Sequence, residues 1–273
     1  MVDKFSVENI EGLEYYTFNL LKSVPGLVHA FTTRKGGVSE GDYKSLNMAL
    51  HVGDSEQVVL ENRKRVCGKI GINASLLIAG QQTHNDLVAV VGAVHRGQGA
   101  LSYAASLPDT DALITNEPGV PLSSYYADCV PLFLVDPVKL VIGLAHAGWR
   151  GTVLRIGEKT VREMNRVFGS DPSDCLAVIA PSIGPCCYEV DSRVINELGK
   201  GFSYWRELTQ ETSPGKYRLD LWEANYRTFT DAGLRPENIV NTKLCTSCNT
   251  DLFYSHRAEN GRTGRMASLI MLS

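Results

Sequence analysis

Leu140-Val-Ile-Gly-Leu-Ala-His-Ala-Gly-Trp-Arg-Gly151 decides how this chain is read. The run Leu140–Ala145 is continuously apolar and stops at a histidine. A short apolar run without alternation reads as a strand covered on both faces. His146 therefore falls at the end of a buried strand, where α/β proteins commonly carry their chemistry. Gly148 and Gly151 then permit tight backbone turns. A helix follows from Gly151 to Phe168, with Val153, Ile156, Val161 and Met164 on its buried stripe and Gly169 as its stop.

The same alternation of short apolar runs and helical patterns extends in both directions. Upstream, strands are expected at Leu27–Thr33, Leu87–Val91, Asp111–Thr115, Val120–Tyr126 and Val130–Val135, with Asp136-Pro137 as a tight turn. Asp54 and Gln57 have the spacing of a capping box opening a helix that lasts to about Gly71, with Val58, Val59, Val66 and Ile70 as its stripe. Downstream come a strand at Cys175–Ala180, helices near Ser192–Gly199 and Leu221–Ala232, and strands at Ile239–Leu244 and Met266–Leu272. The order is mixed and gives no clean βαβ series. The expected class is α/β (α+β): a layered fold with at least one buried mixed sheet. No repeat, linker or composition break divides the chain, so one domain over residues 1–273 is expected, although two closely fused lobes fit the length as well.

Hydrophobic residues make up 44% and charged residues 21%, which leaves a core of ordinary size that needs no disulfide to stabilise it. The formal net charge is −3 and there is no basic run, which argues against nucleic acid as a partner. Seven cysteines, odd in number and scattered, fit a reducing compartment better than a disulfide framework. Met1-Val-Asp-Lys-Phe-Ser6 lacks a signal pattern and no apolar run is long enough for a membrane helix. A cytoplasmic location is expected, and nothing demands more than a monomer.

His146, Cys129 in Ala127-Asp-Cys-Val-Pro131 and His84 in Gln82-Thr-His84 together offer two imidazoles and a thiol. That donor set suits Zn²⁺, and three protein ligands leave a fourth position for water or substrate. The intervals between them match no short zinc motif, and His29, His51, His95 and His256 compete for the role. A lone cysteine in apolar surroundings is ordinarily a small core residue. Cys245-Thr-Ser-Cys248 resembles half of a zinc site, yet its best second pair, Cys186-Cys187, is awkward for one tetrahedral ion. A structural or incidental role is expected for it. Gly92–Gly99 matches neither phosphate-binding glycine fingerprint and reads as a surface turn.

Several motifs recur together: Thr33-Arg-Lys-Gly-Gly-Val-Ser39, Ser45-Leu-Asn47, Asp111-Ala-Leu-Ile-Thr115, Ala127-Asp-Cys129, His146-Ala-Gly-Trp-Arg-Gly-Thr152, Pro181-Ser-Ile-Gly-Pro-Cys-Cys-Tyr188 and Gly264-Arg265. In this order they resemble the bacterial YfiH/YlmD family, long labelled laccase-like or multicopper polyphenol oxidase. The resemblance covers about residues 27–273. It implies a layered α-β-β-α fold with mixed sheets and a zinc site on His84, Cys129 and His146. It also implies phosphorolysis of adenosine, inosine and methylthioadenosine to base and ribose 1-phosphate, with adenosine deamination alongside. Relatives have also been assigned copper-dependent phenol oxidation and removal of wrongly built peptidoglycan precursors.

Residue chemistry weighs these activities. A trinuclear copper cluster draws on several histidine pairs, whereas this chain has six histidines and no His-x-His, so an oxidase is the weaker reading. A His₂Cys set resembles blue-copper ligands, so copper binding in vitro is compatible with it. The zinc-deaminase pattern of His-x-Glu with Pro-Cys-x-x-Cys is absent, so deamination needs another arrangement. Asp128, beside Cys129, is the candidate acid or base, with a backbone-capping role as the alternative. Phosphorolysis needs a clamp for phosphate, for which arginine's planar fork is suited. The candidates are Arg34, Arg150 and Arg257, with Asn47 for a ribose hydroxyl and Tyr125 or Tyr126 for stacking on the base. Adenosine-type nucleosides and phosphate are thus the expected small-molecule partners. A non-enzymatic binding protein with a vestigial metal site is the remaining class.

Overall fold

The computed structural model describes residues 4–273 and places the strand Val141–Ala147 inside a six-stranded mixed sheet. The strand order there is Ile239–Asn241, Leu176–Ile179, Val130–Asp136, Val141–Ala147, Thr110–Thr115, Leu87–Val90. The outermost pair at each edge is parallel and the inner pairs are antiparallel. All seven residues of Val130–Asp136 and of Val141–Ala147 are buried, which is why neither run alternates with polar residues.

Alternation persists in the choice of face. Leu132, Leu134 and Ala145 pack with Ile156, Val161 and Met164 of the helix Ile156–Phe168 and with Ala224 and Phe229 of the helix Leu221–Asp231. Phe133, Val135, Ile142 and Leu144 point the other way and meet Phe18, Phe31, Leu122, Tyr126 and Ile270 of a second six-stranded sheet. Each such buried side chain contributes about 1.5–3 kcal/mol. The second sheet runs Phe5–Ile10, Leu13–Phe18, Leu27–Thr32, Met266–Leu272, Leu122–Tyr126, Ile78–Ala79, antiparallel except for its last pair. Its far face is covered by the helix Glu56–Ile70, whose Val66 and Cys67 pack with Ala30, Met48 and Leu269. The layers are therefore α-β-β-α, in agreement with the expected fold.

Local expectations fared unevenly. Asp136 Oδ1 accepts the N–H groups of Val138 and Lys139, closing the expected turn. The helix expected from Gly151 to Phe168 is broken into Trp149–Val153 and Ile156–Phe168. Arg155 lies between them at φ 60, its guanidinium tied to Glu158 and Asp231. The Asp54–Gln57 capping box does not form: Ser55 occupies the N-cap without a side-chain bond. Asp54 Oδ2 instead accepts from Ser39 Oγ at 2.7 Å and Asn47 Nδ2 at 3.0 Å. A small sheet of Glu189–Asp191, Lys216–Leu219 and Thr209–Ser213 was not anticipated, because its strands are short and mostly exposed. No described helix is long and apolar enough to cross a membrane.

Arg63 is 2% exposed and has no carboxylate partner among the described residues. Its guanidinium donates to the carbonyls of Met48, Gly99 and Ala100 and lies 4.6 Å from the Tyr125 ring centroid.

His29 is a core histidine, accepting the Phe18 N–H on Nε2 at 2.8 Å. Burial, reinforced by the charge of Lys22, brings it down to about 4 from 6.5. The unfolded chain thus takes up a proton that the native state refuses, so this contribution to stability is full above pH 6.5 and declines as pH falls toward 4. The loss amounts to roughly 2 kcal/mol at pH 5. His29→Gln is expected to shrink the acid-side fall in the urea midpoint, and an unchanged fall would refute this assignment.

A candidate metal centre where two strands meet

The antiparallel register of Val130–Asp136 with Val141–Ala147 sets Pro131 opposite His146. Cys129 immediately precedes the first strand and His146 is next to last in the second, so the register alone brings them to one edge. Asp128, at φ 79, turns the chain from Leu122–Tyr126 of one sheet into Val130–Asp136 of the other. His84 arrives on a loop at φ 64, pinned by Asp111: the carboxylate accepts the His84 N–H at 3.1 Å and the Asn85 N–H at 2.9 Å.

His84 Nε2 lies 3.8 Å from Cys129 Sγ, and the ligand atoms of His84, Cys129 and His146 all fall within 4.8 Å of one another. Tetrahedral donors around a small ion with one sulfur stand about 3.3–3.6 Å apart, so modest contraction closes the group on a metal. His146 Nδ1 bonds Asp111 Oδ1 at 2.8 Å, which leaves Nε2 for coordination. Asp111, whose side chain has no exposed surface, is thus the unforeseen member of the site. The signal was a carboxylate opening a strand that is otherwise apolar or capped by threonine, since a buried charge needs partners.

Gly148 corrects the reading of its motif. Its φ is −63, and Gly151 is likewise outside the left-handed region, so neither glycine is there to permit an unusual turn. A Cβ at position 148 would stand 2.9 Å from His84 Cδ2 and 3.1 Å from Cys129 Sγ. The glycine makes room for two ligand side chains.

Burial would raise the Cys129 thiol, but the charge and hydrogen bond of His146, aided by His84, bring it below its ordinary value. Burial would lower His146, but the Cys129 thiolate and the Asp111 carboxylate raise it. Both shifts favour the proton on the His146 side of the pair, and a bound cation would displace it.

These groups form part of the wall of a cavity of about 460 Å³. Of the expected substrate residues, Asp128, Arg150 and Arg257 line it. Arg34 does not: its guanidinium donates to the carbonyls of Lys44 and Thr250 and pairs with Glu259 at 2.9 Å. Asn47 is also outside the lining and fully buried, bonded to Ala49, Asp54 and the Arg265 N–H. Both of these polar side chains hold loops together. Tyr126 faces the inter-sheet core, while Tyr125 lines the cavity but lies beneath Arg63.

Both oxygens of Asp128 are engaged, Oδ1 by Thr246 Oγ1 at 2.6 Å and Oδ2 by Ser255 Oγ and the Arg257 N–H. Arg257 donates to the Cys187 and Glu189 carbonyls. Arg150 forms no side-chain hydrogen bond or ion pair among the described residues and lies 5.2 Å from the Trp149 ring centroid. Arg265 joins the wall unforeseen, although Gly264-Arg265 stood among the recurring motifs, and His51 and His256, weighed above as metal ligands, line it as well. His51 keeps an exposed edge at this wall, and partial desolvation, then the charge of Arg265, lowers its pKa.

Comparison with known proteins accords with this architecture. Residues 28–273 match the family described as multi-copper polyphenol oxidoreductase laccase, and the chain belongs to that family, the YfiH group. It is 42% identical to the purine nucleoside phosphorylase YlmD of Bacillus subtilis (strain 168), over 89% of this chain and 88% of that one. It is 34% identical to the adenosine deaminase RL5 of an unknown prokaryotic organism, over 93% and 97%. The crystal structure of the hypothetical protein YfiH of Bacillus licheniformis superposes with a TM-score of 0.94 at 38% identity, covering 99% of this chain and all of that one.

Three substitutions probe the centre. Cys129→Ala is expected to lose one equivalent of bound metal. Asp111→Asn should weaken affinity about 10–100-fold by releasing the His146 ring and the His84 loop. Gly148→Ala should do likewise by pushing two ligands apart. Elemental analysis and competition with a chelating dye measure all three, and wild-type affinity in Asp111→Asn would remove Asp111 from the site.

Proposed function

We propose that this chain is a zinc-containing purine nucleoside phosphorylase that converts adenosine, inosine and methylthioadenosine to base and ribose 1-phosphate, with adenosine deamination as a side activity. The observation that carries this reading is a converging His₂Cys group on the wall of a cavity that arginines also line. His84, Cys129 and His146 would hold Zn²⁺, because nitrogen and sulfur donors in a tetrahedral arrangement favour it. Bound there, zinc would polarise an oxygen or lower the pKa of a water.

In phosphorolysis a phosphate oxygen attacks the anomeric carbon as the glycosidic bond breaks, and the departing base takes a proton. Positive charge builds on the ribose while the phosphate must be held in line. Arg150, the least committed arginine of the wall, is the phosphate clamp in this reading, assisted by Arg265. Arg257 is partly committed to backbone carbonyls and shapes the wall beside Tyr188. Trp149, Ile183 and Leu221 supply apolar surface for the purine. Asp128, first considered as acid or base, is reassigned as a positioning residue: its fixed oxygens hold Thr246, Ser255 and the Arg257 backbone around Cys129. The attacking dihydrogen phosphate supplies the proton that the departing base takes up, and His51 lines the same cavity.

The oxidase reading is weaker. Among the described residues, no group of ligand-type side chains contains more than two histidines, and only two such groups occur.

Metal-defined protein incubated with adenosine and phosphate is expected to release adenine and ribose 1-phosphate, with no adenine when phosphate is omitted. Oxygen uptake with copper and a phenol, in place of base release, would overturn the proposal. Arg150→Ala should raise the KM for phosphate roughly 10–100-fold, equivalent to the loss of one or two charged hydrogen bonds. An unchanged phosphate KM would remove Arg150 as the clamp.

A further inference from the structure

We propose that Cys186, Cys187, Cys245 and Cys248 form a second metal centre, a closed four-thiolate zinc site that braces the cavity wall. The four Sγ atoms lie within 4.8 Å of one another, although they come from two distant segments of the chain. Cys248 Sγ is 3.5 Å from Cys186 Sγ and 3.3 Å from Cys187 Sγ. Four sulfurs around one zinc stand about 3.8 Å apart, so the cluster needs only slight expansion to enclose an ion. A disulfide would require two of these sulfurs at about 2.05 Å and would leave the other pair unexplained. All seven cysteines are free.

Backbone geometry explains how two neighbouring cysteines serve one ion. Gly184 O accepts the N–H groups of both Cys187 and Tyr188 at 3.0 Å, curling the segment so that Cys186 and Cys187 both approach Cys248. The Gly184 N–H points at Cys245 Sγ, 3.3 Å away, as a donor would toward a metal-bound thiolate. The two segments are joined beside the cluster, where Ser182 N–H meets Leu244 O and Thr246 N–H meets Ser182 O, each at 3.1 Å.

Burial separates this group from ordinary core cysteines. Cys245 is buried at the edge of the core, but Cys186 and Cys248 are exposed and Cys187 is half-buried, so packing alone does not account for four converging thiols. Four sulfur donors select a soft tetrahedral ion, and each thiol that binds gives its proton to solvent. Zinc with four thiolates retains two negative charges, and the Gly184 N–H and the nearby Arg257 guanidinium moderate them.

With no vacant position this centre is structural. One of its segments carries Ile183 and Tyr188 to the cavity, and the other carries Thr246 to the Asp128 carboxylate. Both therefore converge on Cys129 and its neighbours. The inference concerns this chain's cysteines and does not depend on which substrate the cavity takes.

The test uses the whole protein purified under reductant. Wild type is expected to hold two zinc equivalents, Cys129→Ala one, and Cys186→Ser and Cys248→Ser one each. Cobalt substituted into Cys129→Ala, where only the cluster remains, should show the intense sulfur-to-cobalt charge-transfer absorption of several thiolates. Chelation of that variant should lower its melting temperature. The proposal fails if folded Cys129→Ala holds no metal while all its cysteines react as free thiols. It fails equally if mass spectrometry finds Cys248 in a disulfide that added zinc does not prevent. Should the His₂Cys assignment be the mistaken one, Cys129→Ala would keep the wild-type metal content while Cys186→Ser and Cys248→Ser still lost an equivalent.

Discussion

The carboxylate of Asp111 is the constraint on which the functional end of the molecule depends. One group accepts from the backbone of His84 and Asn85 and from the ring of His146, so it fixes a loop and an imidazole with the same two oxygens. Its strand, Thr110–Thr115, lies directly beside Val141–Ala147, so the support and the ligand share one sheet. A carboxylate buried without water is costly unless its hydrogen bonds are complete. Here they are complete only when His84 and His146 are in place. The same carboxylate therefore positions both the loop and the imidazole.

Around that point the fold provides rigidity by layering. Strands covered on both faces cannot slip register without moving every side chain to the wrong layer. The Pro131–His146 pairing is thus set by the packing of Phe133 and Leu144 on one side and of Leu132 and Ala145 on the other. Cys129, at the passage between the two sheets, inherits its position from both. The chemistry sits where the scaffold is most constrained, as precise orientation of ligands requires.

Much of this was legible in the sequence, and the remainder failed for identifiable reasons. Continuous apolar runs announced the central strands, and the His₂Cys set was named before any geometry was known. The helix break at Arg155 was hidden because a non-glycine residue at positive φ is stabilised by ion pairs to Glu158 and to Asp231, the latter far along the chain. The loop-tying bonds of Arg34 and Asn47 were not legible, because a side chain that ties loops is composed of the same atoms as one that binds phosphate or ribose. Gly148 was correctly singled out for the wrong cause, since close approach of two ligands leaves no trace in local pattern. The convergence of Cys186 and Cys187 with Cys245 and Cys248 also depended on tertiary structure, and adjacency in sequence had argued against it.

Arg63 carries a consequence of another kind. Among the described residues its charge is met by three carbonyl dipoles and an aromatic face, with no carboxylate at close range. Tyr125, on which it rests, belongs to the cavity wall. In a medium of low dielectric such a charge is felt over many ångströms. The buried cation thus links the backbone of Met48, Gly99 and Ala100 to a residue of the cavity wall, and that wall also carries the Asp128 carboxylate and the Cys129 thiol.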